Sequence, residues 1–197
     1  MQSDLVQIVD AAFADAATRS GVHLVCRAGC TQCCIGVFPI SQQDATRLRE
    51  GLECLSTDEP ARADRVRARV VASLQRLNPH FPGDITTGIL SDDDAAHEAF
   101  DDFANDEPCP VLDPATGTCD LYSSRPILCR TFGPPARTED GNLAHCELCY
   151  TQAEPYEIAT CEIDPAIPGL EASSNEAFNH EHHLQGETLI AYALRSA

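Results

Sequence analysis

Four cysteines fall within the nine residues CRAGCTQCC, Cys26 to Cys34, and two of them, Cys33 and Cys34, are adjacent. No other feature limits the chain as much. Thiols this crowded are bridged, buried as small apolar groups, or bound to metal, and each fate asks for a different local fold. With 197 residues the chain is long enough for its own hydrophobic core, so it does not need disulfides to make up for small size. Its first residues carry Asp4 and Asp10 and neither a basic leader nor an unbroken apolar stretch, which predicts that no signal peptide is present. No run approaches the roughly 18 apolar residues of a membrane span. The expected setting is cytoplasmic and reducing, where clustered cysteines more often serve metal or redox chemistry than structural bridging. A total of 11 cysteines, an odd number, also suits incomplete pairing.

The formal net charge of -18 repels phosphate backbones and anionic lipid. Nucleic acid and membrane are therefore excluded as partners, and a metal ion or cluster, with a protein partner beside it, is what remains. All 13 basic residues are Arg, which removes a Schiff-base lysine, a Walker lysine and a lysine general base. Gly-rich nucleotide fingerprints, GxSxG and HExxH are absent as well.

Apolar spacing predicts a helix from a Ser3 cap through about Arg19, with Leu5, Ile8, Val9, Ala12, Phe13 and Ala16 on one face and Gly21 as its stop. IGVFPI reads as a short strand, and Ser41 with Asp44 as a capping box opening a helix through roughly Leu52. A helix over about 59–77 turns Val66, Val70, Leu74 and Leu77 inward. Its other face holds Arg62, Arg65, Arg67, Arg69 and Arg76, expected to be solvated or to pair with acidic segments. NPHFPGDITTG reads as loop. Ser91 is expected to cap a short acidic helix, in which Asp92, Asp93 and Asp94 favour the helix dipole and lack the spacing of a calcium loop. CPVLD and TCDLY flank PATG as a hairpin, and Pro126 begins a helix that carries Cys129. Residues 134–141 read as loop, and a last helix is expected from about His183 to Arg195, burying Leu184, Leu189, Ile190 and Leu194.

The thiols stand where the chain turns. Cys30 and Cys33 form a C-x2-C knuckle whose sulfurs can reach one ion; Cys34 adds a third donor and Cys26 a fourth. Cys109 and Cys119 open the two hairpin strands. Cys129 lies in a first helical turn, where partial positive charge favours a thiolate. Cys146 and Cys149 repeat the knuckle spacing beside His145. Arg125 and Arg130 are placed to balance an anionic thiolate site. Cys54, at the end of an amphipathic helix, reads as core, and Cys161 is open to either reading. His180, His182 and His183 form a surface triplet or, if they reach the thiols, part of a second site.

In order, CRAGCTQCC, CPVLD, GTCDLY and RPILCR make this chain resemble the YkgJ-type cysteine-cluster family, also called CxxCxxCC, a zinc- or iron-chelating domain. The resemblance covers roughly Cys26 to Cys149, within a family-like core of about 22–150. One departure is that three residues rather than two separate Cys26 from Cys30. The resemblance implies a small, mostly cytoplasmic domain binding zinc or an iron–sulfur cluster. It assigns ligand roles to Cys30, Cys33, Cys34, Cys109, Cys119 and Cys129, and extends to Cys26, Cys146 and Cys149. Similar domains occur attached to flagellin lysine methylases.

These nine candidates exceed one tetrahedral site, and the adjacent Cys33 and Cys34 strain a single mononuclear zinc. An iron–sulfur cluster is therefore favoured over Zn2+. The expectation is one α+β domain over residues 1–197, small and mostly helical around a short β-hairpin, with a cysteine-ligated metal centre. Its role would be redox, metal handling or accessory. The alternative is a metal-dependent enzyme related to a methylase accessory domain, with an open metal position beside His or a glutamate such as Glu147.

Overall fold

Helices form where a 3.6-residue apolar period meets a start signal, and most of the chain meets that condition. The computed structural model describes residues 2–138 and 140–195, with side chains from Asp4 onward. In chain order the elements are α1 (Gln2–Ser20), α2 (Gln42–Asp58), α3 (Pro60–Leu77), β1 (Gly83–Asp84), β2 (Ile89–Leu90) and α4 (Asp94–Asp101). There follow β3 (Leu112–Asp113), β4 (Thr118–Cys119), α5 (Ile127–Thr131), β5 (Ala136–Arg137), β6 (Leu143–Ala144), α6 (Pro155–Thr160), α7 (Ile167–His182) and α8 (Ile190–Ala193). Successive strands pair as antiparallel hairpins, β1 with β2, β3 with β4 and β5 with β6. The mostly helical α+β build is as expected. Among the described residues there are three hairpins where the sequence suggested one; the two others begin in stretches read as loop.

Several boundaries differ for identifiable reasons. The first helix begins at Gln2, so Ser3 lies inside it, and Ile8 on its expected inner face is 45% exposed. Ser41 does cap α2, accepting the Asp44 N–H at 3.1 Å, but Asp44 turns its carboxylate to Arg47 and the helix runs on to Asp58. Asp93 rather than Ser91 caps α4, its carboxylate accepting the Ala96 N–H at 3.0 Å. IGVFPI bends at Gly36, φ +87°, and bridges at its ends alone, Ile35 to Pro108 and Ile40 to Thr188. The expected last helix is displaced. Pro168 sits in the opening turn of α7, where a missing N–H is harmless, so helix precedes the stretch expected to hold it. Gly186, at φ +72°, then helps turn the chain toward Thr188, Leu184 is 37% exposed, and α8 is short.

The chain divides into two compact units, Met1–Arg27 with Ile127–Ala177, and Ala28–Pro126 with Phe178–Ala197. In the first, the smaller, α1 packs on α5, burying Leu5, Val9, Ile127 and Ile167 together. In the larger, α2 and α3 pack on each other and on α8. Leu48, Val66 and Val70 lie at the centre of that core, with Val111 and Leu121 contributed from either side of the β3–β4 hairpin. Cys109 and Cys119 pack against its edge. A second cluster gathers Leu77, Phe81, Phe103, Leu189 and Tyr192.

Gly51 marks a close approach within this unit. A Cβ there would stand 2.6 Å from the Cβ of Ser124. Gly51→Ala gains roughly 1 kcal/mol of helix propensity but displaces the turn at Tyr122–Ser124, an overpacking cost of about 1–3 kcal/mol. A net loss of stability is expected, measured as a lower denaturant midpoint at unchanged m-value.

The Arg-rich face of α3 finds the acidic residues it was expected to find. Arg62 and Arg69 both pair with Asp120, whose side chain is 2% exposed. Arg76 pairs with Glu107 through two bonds of 2.8 and 2.7 Å. Arg67 spends its charge locally on Asp64.

Candidate metal centre

In the larger unit the cysteine loop closes on the hairpin through backbone bonds. A 3-10 turn over Gln32–Cys34 is held by the Cys34 N–H donating to the Thr31 carbonyl at 2.8 Å. The Cys34 carbonyl accepts the Cys109 N–H at 2.8 Å, and the Gly36 N–H donates to the Glu107 carbonyl at 2.9 Å. This short ladder lays Cys33 and Cys34 beside Cys109. In the next register Leu112 pairs with Cys119, which brings the fourth thiol alongside. The loop also touches the hairpin tip: a Cβ on Gly117, at φ +68°, would stand 3.3 Å from the Gly29 Cα. Cys30 follows directly, so the knuckle begins at the turn of the β3–β4 hairpin.

Helix α3 fixes the same hairpin from behind. Arg69 donates through Nε to the Pro110 carbonyl at 2.8 Å and through Nη2 to the Asp120 carboxylate. One guanidinium thus spans the residues that follow Cys109 and Cys119, and Arg62 adds a second bond to Asp120. The sequence pointed to the arginines; Asp120, a lone carboxylate between Cys119 and Leu121, was the signal that could have named their partner.

The thiols sense one another. The adjacent Cys34 side chain holds Cys33 below the ordinary thiol range against the burial that opposes it, with Arg125 also favouring the thiolate. The closeness of Cys33 pushes Cys34 up, as do burial and the charges of Cys109 and Cys119. Burial pushes Cys109 up to about 12, while the N–H groups of Val111 and Leu112 favour its thiolate. Cys119 is raised by burial too, with the Leu121 N–H acting in the other direction. Amides aimed at sulfur and a nearby guanidinium are the surroundings that stabilise metal-bound thiolates. The donor set is all sulfur, which suits zinc or an iron–sulfur cluster and not a hard cation. Among the described residues no three Cys, His, Asp or Glu side chains stand at ligand spacing from a common point; the thiols are gathered as neighbours.

The other predicted site residues divide sharply. Cys26, Cys129, Cys146 and Cys149 belong to the smaller unit, Cys129 half-buried on α5 and Cys146 and Cys149 buried. Arg130 bonds both carboxylate oxygens of Asp10 at 2.9 Å. Cys54, read as core, is exposed on α2, because the helix continues past it and carries it to the outer face. Cys161 is buried. His180 and His182 end α7 and His183 follows at φ 54°, all three exposed, as a surface triplet should be. No helix among the described residues is long and apolar enough to cross a membrane.

A helical α+β chain with thiols gathered on loops and a hairpin defines a cysteine-cluster protein. Over residues 25–150, more than half its length, the sequence matches the family model CxxCxxCC, described as "Putative zinc- or iron-chelating domain". The chain belongs to this family, and a bound metal is the property the family description attaches to its cysteines. No curated protein and no solved structure matches it.

Proposed function

We propose that the larger unit holds an iron–sulfur cluster through Cys30, Cys33, Cys34, Cys109 and Cys119, and that the whole chain serves as one cytoplasmic redox or metal-handling protein. The observation that carries this is the adjacent pair. Cys33 and Cys34 share one 3-10 turn, whose Cys34 carbonyl accepts the Cys109 N–H at 2.8 Å, and Cys34 feels the charges of Cys109 and Cys119. Two successive residues on one centre strain a single tetrahedral ion and suit a group of several metal atoms. When bound, such a cluster supplies one-electron transfer. The chain's own residues do the rest: the amides of Val111, Leu112 and Leu121 favour the thiolate forms of Cys109 and Cys119 against the burial that opposes them, Arg125 favours that of Cys33, and Arg69 keeps the two hairpin flanks in register.

Zinc is the second reading. It is favoured by the pairing of one knuckle, Cys30 and Cys33, with the hairpin thiols Cys109 and Cys119, which together provide four donors for a closed site. A visible spectrum and elemental analysis of protein purified without oxygen separate the two. Brown protein with iron and acid-labile sulfide is the expected result. Colourless protein with zinc retained at Cys109 gives the second reading, and protein with neither metal overturns both.

A further inference from the structure

Two cysteines of the larger unit face each other across a backbone ladder. Ile35 and Pro108 form an antiparallel bridge. One rung on either side holds it, the Gly36 N–H on the Glu107 carbonyl at 2.9 Å and the Cys109 N–H on the Cys34 carbonyl at 2.8 Å. In that register Cys34 stands directly opposite Cys109. Proline suits the bridge, because the N–H it lacks would point away from the partner segment at that position. Gly36, at φ +87°, suits it as well, since a Cβ there would stand 3.1 Å from the Asn105 carbonyl oxygen. The Cys34 N–H turns back to the Thr31 carbonyl at 2.8 Å, so the two cysteines form the end rung of the ladder.

Opposed residues that share a backbone bond in an antiparallel pair have Cα atoms about 5.5 Å apart, and their side chains lie on one face. A disulfide spans roughly 4.4–6.8 Å between Cα atoms. The end rung therefore offers the separation and the side-chain direction that a disulfide needs. The consecutive pair does not: Cys33 and Cys34 are neighbours in sequence, and adjacent Cα atoms stand about 3.8 Å apart. In the β3–β4 hairpin, Cys119 faces Leu112 and no thiol. Cys34 and Cys109 are both free and half-buried, and Cys34 feels the charge of Cys109.

We propose that Cys34 and Cys109 form a reversible redox latch: in the metal-free chain they join as a disulfide that ties the cysteine loop to the hairpin and withholds both sulfurs from metal. The oxidant is a low-molecular-weight disulfide. One of the two thiolates attacks it, forming a mixed disulfide and releasing one small thiol. The other thiolate then attacks the protein-side sulfur, forming the Cys34–Cys109 bond and releasing the second small thiol. Two protein thiols are oxidised, one external disulfide is reduced, and the protons leave with the small thiols. In a reducing setting such a bridge is transient and reports redox state. The bridge stands on the register alone; its effect on metal rests on the reading of Cys34 and Cys109 as ligands.

The test takes the full-length chain, freed of metal by chelation, and incubates it with oxidised glutathione in the absence of oxygen. Remaining thiols are alkylated, and peptide mass spectrometry with fragment sequencing places any link. A Cys34–Cys109 bridge is expected, reversed by dithiothreitol, kept in Cys33→Ser and lost in Cys34→Ser. Persistent glutathione adducts without a bridge, or a bridge between another pair in its place, overturn the latch, and the wild-type map reads this even where a variant does not fold. Zn2+ uptake then separates the latch from the reading it rests on. Uptake by the reduced chain and its loss in the oxidised chain support the latch; equal uptake by both overturns its hold on metal. A bridge in a chain that takes up no Zn2+ in either state supports the linkage and sinks the metal reading of these cysteines.

Discussion

Cys109→Ser is expected to strip the larger unit of its metal. Partners that merely orient a ligand account for about 10- to 100-fold in metal affinity, so loss of a ligand itself should exceed roughly 100-fold. Cys109 is suited to show the effect because its backbone is fixed independently of the thiol: its N–H bonds the Cys34 carbonyl and its neighbour Pro110 is held by Arg69. Replacing sulfur with oxygen there changes the donor and little else. Cys54→Ser, on an exposed face of α2, should leave metal content unchanged and serves as the reference. Isothermal competition against a chelator of known affinity reads both. Equal retention by the two variants would remove Cys109 from the ligand set.

Asp120→Ala should cost the larger unit about 3 kcal/mol, the lower end of the range for breaking a buried pair. Asp120 is almost wholly buried and receives two guanidinium groups, while Arg62 and Arg69 keep side-chain exposures of 30% and 22%. Once the carboxylate is gone, both arginines regain water in part, which is why the upper end of the range is not reached. The more telling consequence is on metal. Arg69 then holds Pro110 alone and no longer spans to the turn after Cys119, so metal should leave faster even at temperatures where the chain remains folded. A double-mutant cycle with Arg69→Ala should be strongly non-additive, since both changes remove the same bridge. Additive effects, or an unchanged metal-release rate, would show that the bridge does not brace the hairpin.

The legible parts of this protein were those carried by local rules. The α2 and α3 helices, the Ser41 cap and the β3–β4 hairpin follow from periodicity, a side-chain acceptor and a Pro-Gly loop. Where the reading failed, distant contacts outweighed local signals. No helix was expected over 167–182, yet Pro168 is harmless in the first turn of α7. Two-residue strands such as β5 and β6 carry too few residues for alternation to show. The candidate ligands of the larger unit were all legible as turn-located cysteines. Their division into two groups was not, because Cys26 and Cys30 lie four positions apart and belong to different units. Cys54, read as core at the end of its helix, is exposed because α2 runs on past it, and Cys161, left open to either reading, is buried.

The short ladder between Cys34 and Cys109 sets the order in which this protein can be made. Its two sides are far apart in the sequence, and closing a loop of that length costs roughly 4 kcal/mol in chain entropy before any contact repays it. On the ribosome, CRAGCTQCC emerges before the hairpin and must wait until that hairpin has been synthesised. For the centre proposed above, metal delivery would then follow hairpin synthesis, and a cell starved of metal would accumulate chains whose first cysteines are open to oxidation.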